Sequence, residues 1–297
     1  MSTKPPVRIG LNIVWVETEL LVEYAQLAES LGYESLWSGE HICLATRPDW
    51  WRAFPGGAAL GDAFTEDMVP FTPDSDFPDP LIVLAQLATV TERVRLGVGI
   101  YMLALRDPVL VGKTLATLDV ISGGRIDLAV GLGWTPDEYT WTGNEWKQRG
   151  RRMNEIIRAL RVLFEQEHPE FHGDFFDFGP MGFQPKPVQR PMPIHIGGGA
   201  GPAVRRAGRL GDGWYGNPAD IPAIKKELES AGRADAPFEF STITLSGPVP
   251  LTTLESMADI GVDRVVVTPW ATNKVGTVGR EGLAIVEQYA HEIGLGA

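Results

Sequence analysis

The chain has 297 residues, 44% hydrophobic and 22% charged, a balance that suits a well-buried globular fold rather than a disordered chain. Its formal net charge of −12 repels nucleic acid and anionic membranes, and no uncharged apolar run approaches the roughly 20 residues that span a bilayer. The single cysteine, Cys43, excludes a disulfide within the chain, and residues 1–6 show no basic-then-apolar leader, so a cytoplasmic location is expected.

Short β-branched runs alternate with longer amphipathic runs eight times. Strands are predicted over 7–14, 34–38, 94–102, 125–131, 192–197, 213–215, 238–245 and 264–268. Helices are predicted over 17–31, 80–91, 108–121, 147–165, 202–210, 221–231, 251–260 and 279–293. In the first helix Leu20, Leu21, Tyr24, Leu27, Ala28 and Leu31 recur at helical spacing, and Gly32 supplies the stop. The last strand, Val265-Val266-Val267, is apolar on both faces, as a parallel strand covered by helices requires. Eight such units with right-handed crossovers close into an α/β fold of the (β/α)8 TIM-barrel type, with a doubly wound open sheet as the alternative. The pattern runs through 1–297 as one domain, with insertions after the second strand and before the fifth.

Barrel enzymes place their chemistry at the C-terminal ends of the strands. The second strand ends in Ser38-Gly39-Glu40-His41, where a carboxylate and an imidazole can hold a polar ring or move protons; capping and structural roles are the alternatives. The connection 40–79 that follows carries Trp50, Trp51, Phe54, Phe64, Phe71 and Phe77, the composition of a lid. In the third strand, Gly97-Val98-Gly99-Ile100 reads either as a bulge with close ligand contact or as a packed barrel corner. The fourth strand ends in Gly131-Leu132-Gly133-Trp134, open to the same two readings. Within 166–191, Gly173-Asp174 between apolar residues predicts a small hairpin. His195 in the fifth strand, flanked by Ile194 and Ile196, points into packing. Gly197-Gly198-Gly199 then opens a helix, as a phosphate site or a tight turn. Arg205, Arg206 and Arg209 on that helix are either a local anion attractor or a solvated face. No metal-ligand spacing, nucleophile elbow or phosphate-binding loop of the nucleotide-hydrolase kind is present in the sequence, which favours chemistry carried by an organic cofactor.

The ordered motifs Leu36-Trp37-Ser38-Gly39-Glu40-His41, Arg95-Leu96-Gly97-Val98-Gly99, Ser122-Gly123-Gly124-Arg125, Gly131-Leu132-Gly133-Trp134, Ile194-His195-Ile196-Gly197-Gly198 and Arg209-Leu210-Gly211-Asp212-Gly213-Trp214 give the chain a family resemblance over nearly its whole length. It resembles the bacterial luciferase-like flavin and deazaflavin oxidoreductases, and within them the coenzyme F420-dependent branch. The resemblance implies a barrel that holds a deazaflavin ring at the strand C-termini, with Glu40 and His41 reaching ring and substrate; many members have aspartate where this chain has Glu40. It implies a bulge with a non-prolyl cis bond at Gly99-Ile100 under one ring face, and a phosphate received at Gly197, Gly198 and Gly199. Met102 and Gly133 are assigned to the cofactor with them. In relatives that oxidise sugar phosphates a glutamate follows the fourth-strand glycines, where this chain has Trp134. An apolar or aromatic organic substrate is therefore expected, in a pocket of Trp50, Trp51, Tyr101, Trp134 and Trp270. On this reading His41 donates or removes the substrate's proton, Glu40 orients the ring, no metal takes part, and the enzyme is a homodimer. The alternatives are an FMN-dependent monooxygenase and a non-catalytic flavin-binding protein, the latter having no use for the polar pair.

Overall fold

The structure, a computed structural model, describes residues 5–54, 65–199, 201–245, 247–270 and 277–296. Eight parallel strands close into a barrel: β1 (Arg8–Asn12), β2 (Ser35–Ser38), β3 (Arg95–Tyr101), β4 (Ile126–Val130), β7 (Ile194–Gly198), β8 (Gly213–Gly216), β9 (Glu239–Ile243) and β10 (Arg264–Val267). Pairing of β1 with both β2 and β10 closes the ring and excludes the open sheet. The two-stranded β5 (Phe171–His172) and β6 (Asp177–Phe178) form the expected antiparallel hairpin. Each predicted helix is present: Pro202–Leu210 has the predicted bounds, the helix from Pro108 runs one residue further to Ser122, and the others are slightly shorter. Among the described residues one α-helix was missed: the six-residue Pro136–Trp141, too short to show a hydrophobic period.

The barrel's filling explains the unusual third strand. At the N-terminal ends of the strands, the fully buried Arg264 pairs with Glu34 at 2.8 Å, with Asp127 at 3.2 Å and with Glu239. Asp127 also accepts from Arg95 at 2.6 Å. Burial would raise the Asp127 pKa, but Arg95 and Arg264 hold it below the usual carboxylate value. His195 belongs to this polar layer: it is buried, its pKa is pushed down by desolvation, and Nδ1 stands 3.9 Å from Glu239. It lies at the opposite end of the barrel from Glu40 and His41. Above the layer, Trp37 stacks on Tyr215 with ring centroids 4.8 Å apart. A Cβ on Gly97 would stand 2.5 Å from the Trp37 ring, and one on Gly99 2.4 Å from Tyr215. These glycines leave the volume that two barrel-filling aromatics occupy.

Candidate active site at the strand C-termini

Strand β3 ends irregularly. The Gly99–Ile100 peptide bond is cis, and pairing with β4 shifts between Gly99 and Tyr101. The displaced Ile100 side chain lands on two neighbouring strands' glycines: a Cβ would meet it at 2.0 Å on Gly131 and at 2.3 Å on Gly197. Gly99 and Ile100 stay half-exposed and form an apolar shelf. Gly197, expected to meet a cofactor, is therefore buried beneath Ile100, while its neighbours Gly198 and Gly199 are exposed. A Cβ on Gly199 would have nothing within 4 Å. Among the described residues no side chain caps the helix Pro202–Leu210 that follows, which leaves its first N–H groups pointing toward that open corner as an anion would require. Gly133 holds a positive φ of 67° and lies against Met102, whose own side chain is buried.

Glu40 is held by groups of the chain itself. Oε2 accepts from Met102 N at 2.7 Å, and Oε1 pairs with Arg106, whose Nε donates to the Tyr101 hydroxyl at 3.0 Å. Burial raises the Glu40 pKa to about 7 against the pull of Arg106 and the Met102 N–H. With a folded pKa above the ordinary 4.5, the unfolded chain releases this proton first. The wild type should then lose up to about 3 kcal/mol of stability relative to Glu40→Gln as pH rises from about 4.5 to about 7. Urea unfolding of both chains at a series of pH values measures this, and a pH-independent difference would contradict it.

His41 sits beside Glu138, a residue that the sequence reading missed. Glu138 is fully buried on the overlooked helix; it accepts from Ile42 N at 2.7 Å and stands 3.4 Å from His41 Nδ1. Arg106 was also missed. Neither has a local signature, since Glu138 lies 97 residues from His41 and Arg106 lies 66 from Glu40. Thr135-Pro136, a cap followed by proline, was the available signal for the helix that carries Glu138.

Aromatic rings surround His41: Phe71 at 5.3 Å, Phe77 at 5.1 Å and Trp134 at 5.3 Å between centroids. Trp50, Trp51 and Phe54 complete the cluster; Trp50 donates to Glu66 at 2.7 Å. Phe64 lies outside the described residues. Trp270, expected in the same pocket, belongs instead to the main core and packs edge-on against Tyr24. Tyr101 lines a cavity of about 510 Å³ together with Glu40, His41, Phe77, Arg106 and Leu110.

The shelf and open corner fit a flat ring carrying a phosphate. Among the described residues the Tyr215 hydroxyl, buried against Gly99, has no hydrogen-bond partner, and the shelf above it is accessible. Among the described residues no group of three His, Cys, Asp or Glu is placed to hold a metal ion, and no helix is long and apolar enough to cross a membrane.

An uncharacterized protein of Mycobacterium tuberculosis is 32% identical over 262 residues, 83% of each chain. An F420-dependent glucose-6-phosphate dehydrogenase of Amycolatopsis mediterranei is 30% identical over 71% of this chain and 60% of its own. An FMNH(2)-dependent dimethylsulfone monooxygenase of Pseudomonas putida is 39% identical over 127 residues, 41% of this chain and 35% of its own. Among solved structures, an F420-dependent secondary alcohol dehydrogenase superposes with a TM-score of 0.75 at 17% identity, covering 98% of this chain and 99% of its own. Residues 16–249 match the family described as luciferase-like monooxygenase.

Proposed function

The chain belongs to the luciferase-like monooxygenase family, and from that premise we propose a single-domain, cytoplasmic coenzyme F420-dependent oxidoreductase acting on an apolar or aromatic organic substrate. The observation that carries this reading is the half-exposed Gly99–Ile100 shelf, flanked by the Glu40–Arg106 pair and by His41 within its aromatic cluster. Ile100 would support one ring face, Gly198 and Gly199 with the start of the helix Pro202–Leu210 would hold the phosphate, and the bound deazaflavin supplies the hydride chemistry. His41 keeps Nδ1 toward Glu138, which leaves Nε2 to give or take the substrate's proton. Glu40 fixes the backbone at Met102 and the Arg106 guanidinium, and so sets the shelf's edge rather than acting as a free base. The rings of Trp50, Phe71, Phe77 and Trp134 exclude water and suit an apolar substrate better than a sugar phosphate.

FMN in the same place is the second reading, favoured by the likeness to the Pseudomonas enzyme. Titration of the purified protein with F420 and with FMN tests the choice: F420 should bind more tightly, and tight FMN binding without F420 binding would move the assignment to a monooxygenase. The corner is tested by Gly199→Phe, because Gly198, at a φ of 143°, does not accept a side chain without strain. Gly199→Phe should fold normally and weaken cofactor binding about tenfold or more, and unchanged affinity would return the glycines to a tight turn.

A homodimer belongs to the same proposal. The helices Pro80–Ala88 and Pro108–Ser122 expose Ile82 and Leu110, each at 72%, with Val120 and Ile121 beside them. An apolar surface of this kind favours cover by another copy. Sedimentation should give twice the 32.4 kDa chain mass at micromolar concentration, and a monomer alone would refute it.

A further inference from the structure

Between the helices Arg149–Glu165 and Pro202–Leu210 runs a groove of about 330 Å³, lined by Asn154, Arg158, Pro202, Arg205, Arg206 and Arg209. Positions 154 and 158 share one helix face, and 202, 205, 206 and 209 share the facing one, at the three- and four-residue spacings that bring side chains together. Four arginines thus gather in one place on a chain of net charge −12.

Their charges are poorly answered. Among the described residues no carboxylate lies within 4 Å of Arg158, Arg205 or Arg206, and Arg209 reaches only Glu227 at 3.8 Å. Arg206 is 7% exposed and bonds only to neutral groups, Asn154 Oδ1 and the Gly150 carbonyl. A buried guanidinium without a counter-charge is unfavourable, and an anionic ligand removes that cost. Desolvation pulls the Arg206 pKa down, with no neighbouring carboxylate restoring it.

We propose that this groove is a second anion subsite, which holds the carboxylate- or phosphate-bearing tail of the cofactor seated at the barrel mouth. The proposal rests on the function inferred above and adds a basis for cofactor choice. The groove begins at Pro202, directly after the glycine corner, and follows the helix for about 10 Å. A ligand that ends at its first phosphate, such as FMN, stops at the corner. One with a longer anionic tail continues along the arginines, whose planar forks suit carboxylate and phosphate alike.

The test is R158E/R205E, which changes two exposed arginines outside the corner and the His41 cluster. Circular dichroism should be that of the wild type. At low salt the variant should bind F420 about tenfold more weakly with FMN affinity unchanged, and added salt should weaken F420 binding to the wild type more than to the variant. Unchanged F420 affinity, or equal losses for F420 and FMN, would overturn the proposal. Should the wild type bind no deazaflavin, the functional reading itself fails. Triglutamate and inorganic phosphate, titrated separately, then decide the groove: binding of either that is lost in the variant supports an anion subsite and names its source. Binding of neither ends it.

Discussion

His41→Ala should lower turnover by about a hundredfold to ten-thousandfold while changing cofactor affinity far less, the range typical of a lost general acid or base. The imidazole is 9% exposed, ringed by Phe71, Phe77 and Trp134, and backed by the buried Glu138. The shelf and the glycine corner lie on β3 and β7, so removing the ring leaves both in place. Single-turnover rates with a substrate that the wild type reduces or oxidises, set beside a cofactor titration, separate the two effects. Full activity in the variant would move the proton donor elsewhere. A loss of affinity as large as the loss of rate would make His41 a binding residue instead.

Arg264→Met should destabilise the barrel by about 3–5 kcal/mol, because removing one partner from a buried ion network leaves the others uncompensated. Here the abandoned groups are Glu34, Asp127 and Glu239. Arg264→Lys keeps the charge without the fork that spans three carboxylates, and should fall between variant and wild type. The network also sets a pH dependence. Burial opposes ionisation of Asp127 and Glu239, yet their cationic neighbours, Arg264 among them, hold both below the ordinary values. The stability they confer is present above the unfolded carboxylate pKa and is lost as pH falls through the lowered folded values. Urea unfolding should therefore show a steeper acid loss for the wild type than for Arg264→Met. A methionine variant within about 1 kcal/mol of the wild type would mean that the carboxylates find other partners.

The barrel was legible because its strands are short apolar runs and its helices carry a clear period, both local properties of the chain. From the residues alone the bulge was a pair of readings, and the family resemblance supplied the cis Gly99–Ile100 bond that the structure has. Gly97 and Gly99 announced that a side chain was missing, and it took the folded barrel to show that Trp37 and Tyr215 fill the space. Glu40 and His41 could be picked out by their place after β2. Their partners Arg106 and Glu138 could not, since a carboxylate contacting an imidazole 97 residues away leaves no mark on either segment. Trp270 failed for the same reason: aromatic composition does not say which ring packs against which, and Tyr24 claimed this one. In the triple glycine, three identical letters conceal different duties, one under Ile100 and two in the open.

The residues that follow β2 are fastened at both margins by carboxylates. Glu138 grips the backbone at Ile42 and Cys43 where the segment leaves the barrel, and Asp79 accepts from Leu81 N and Ile82 N where it rejoins a helix. Between these two fastenings lie most of the rings around His41, while the shelf, the corner and the polar floor are built from other parts of the chain. The described rings between the two fastenings also pack on Val14, Trp15, Trp134 and Leu245, so the contacts that shape the mouth are the same ones that seat this segment on the barrel.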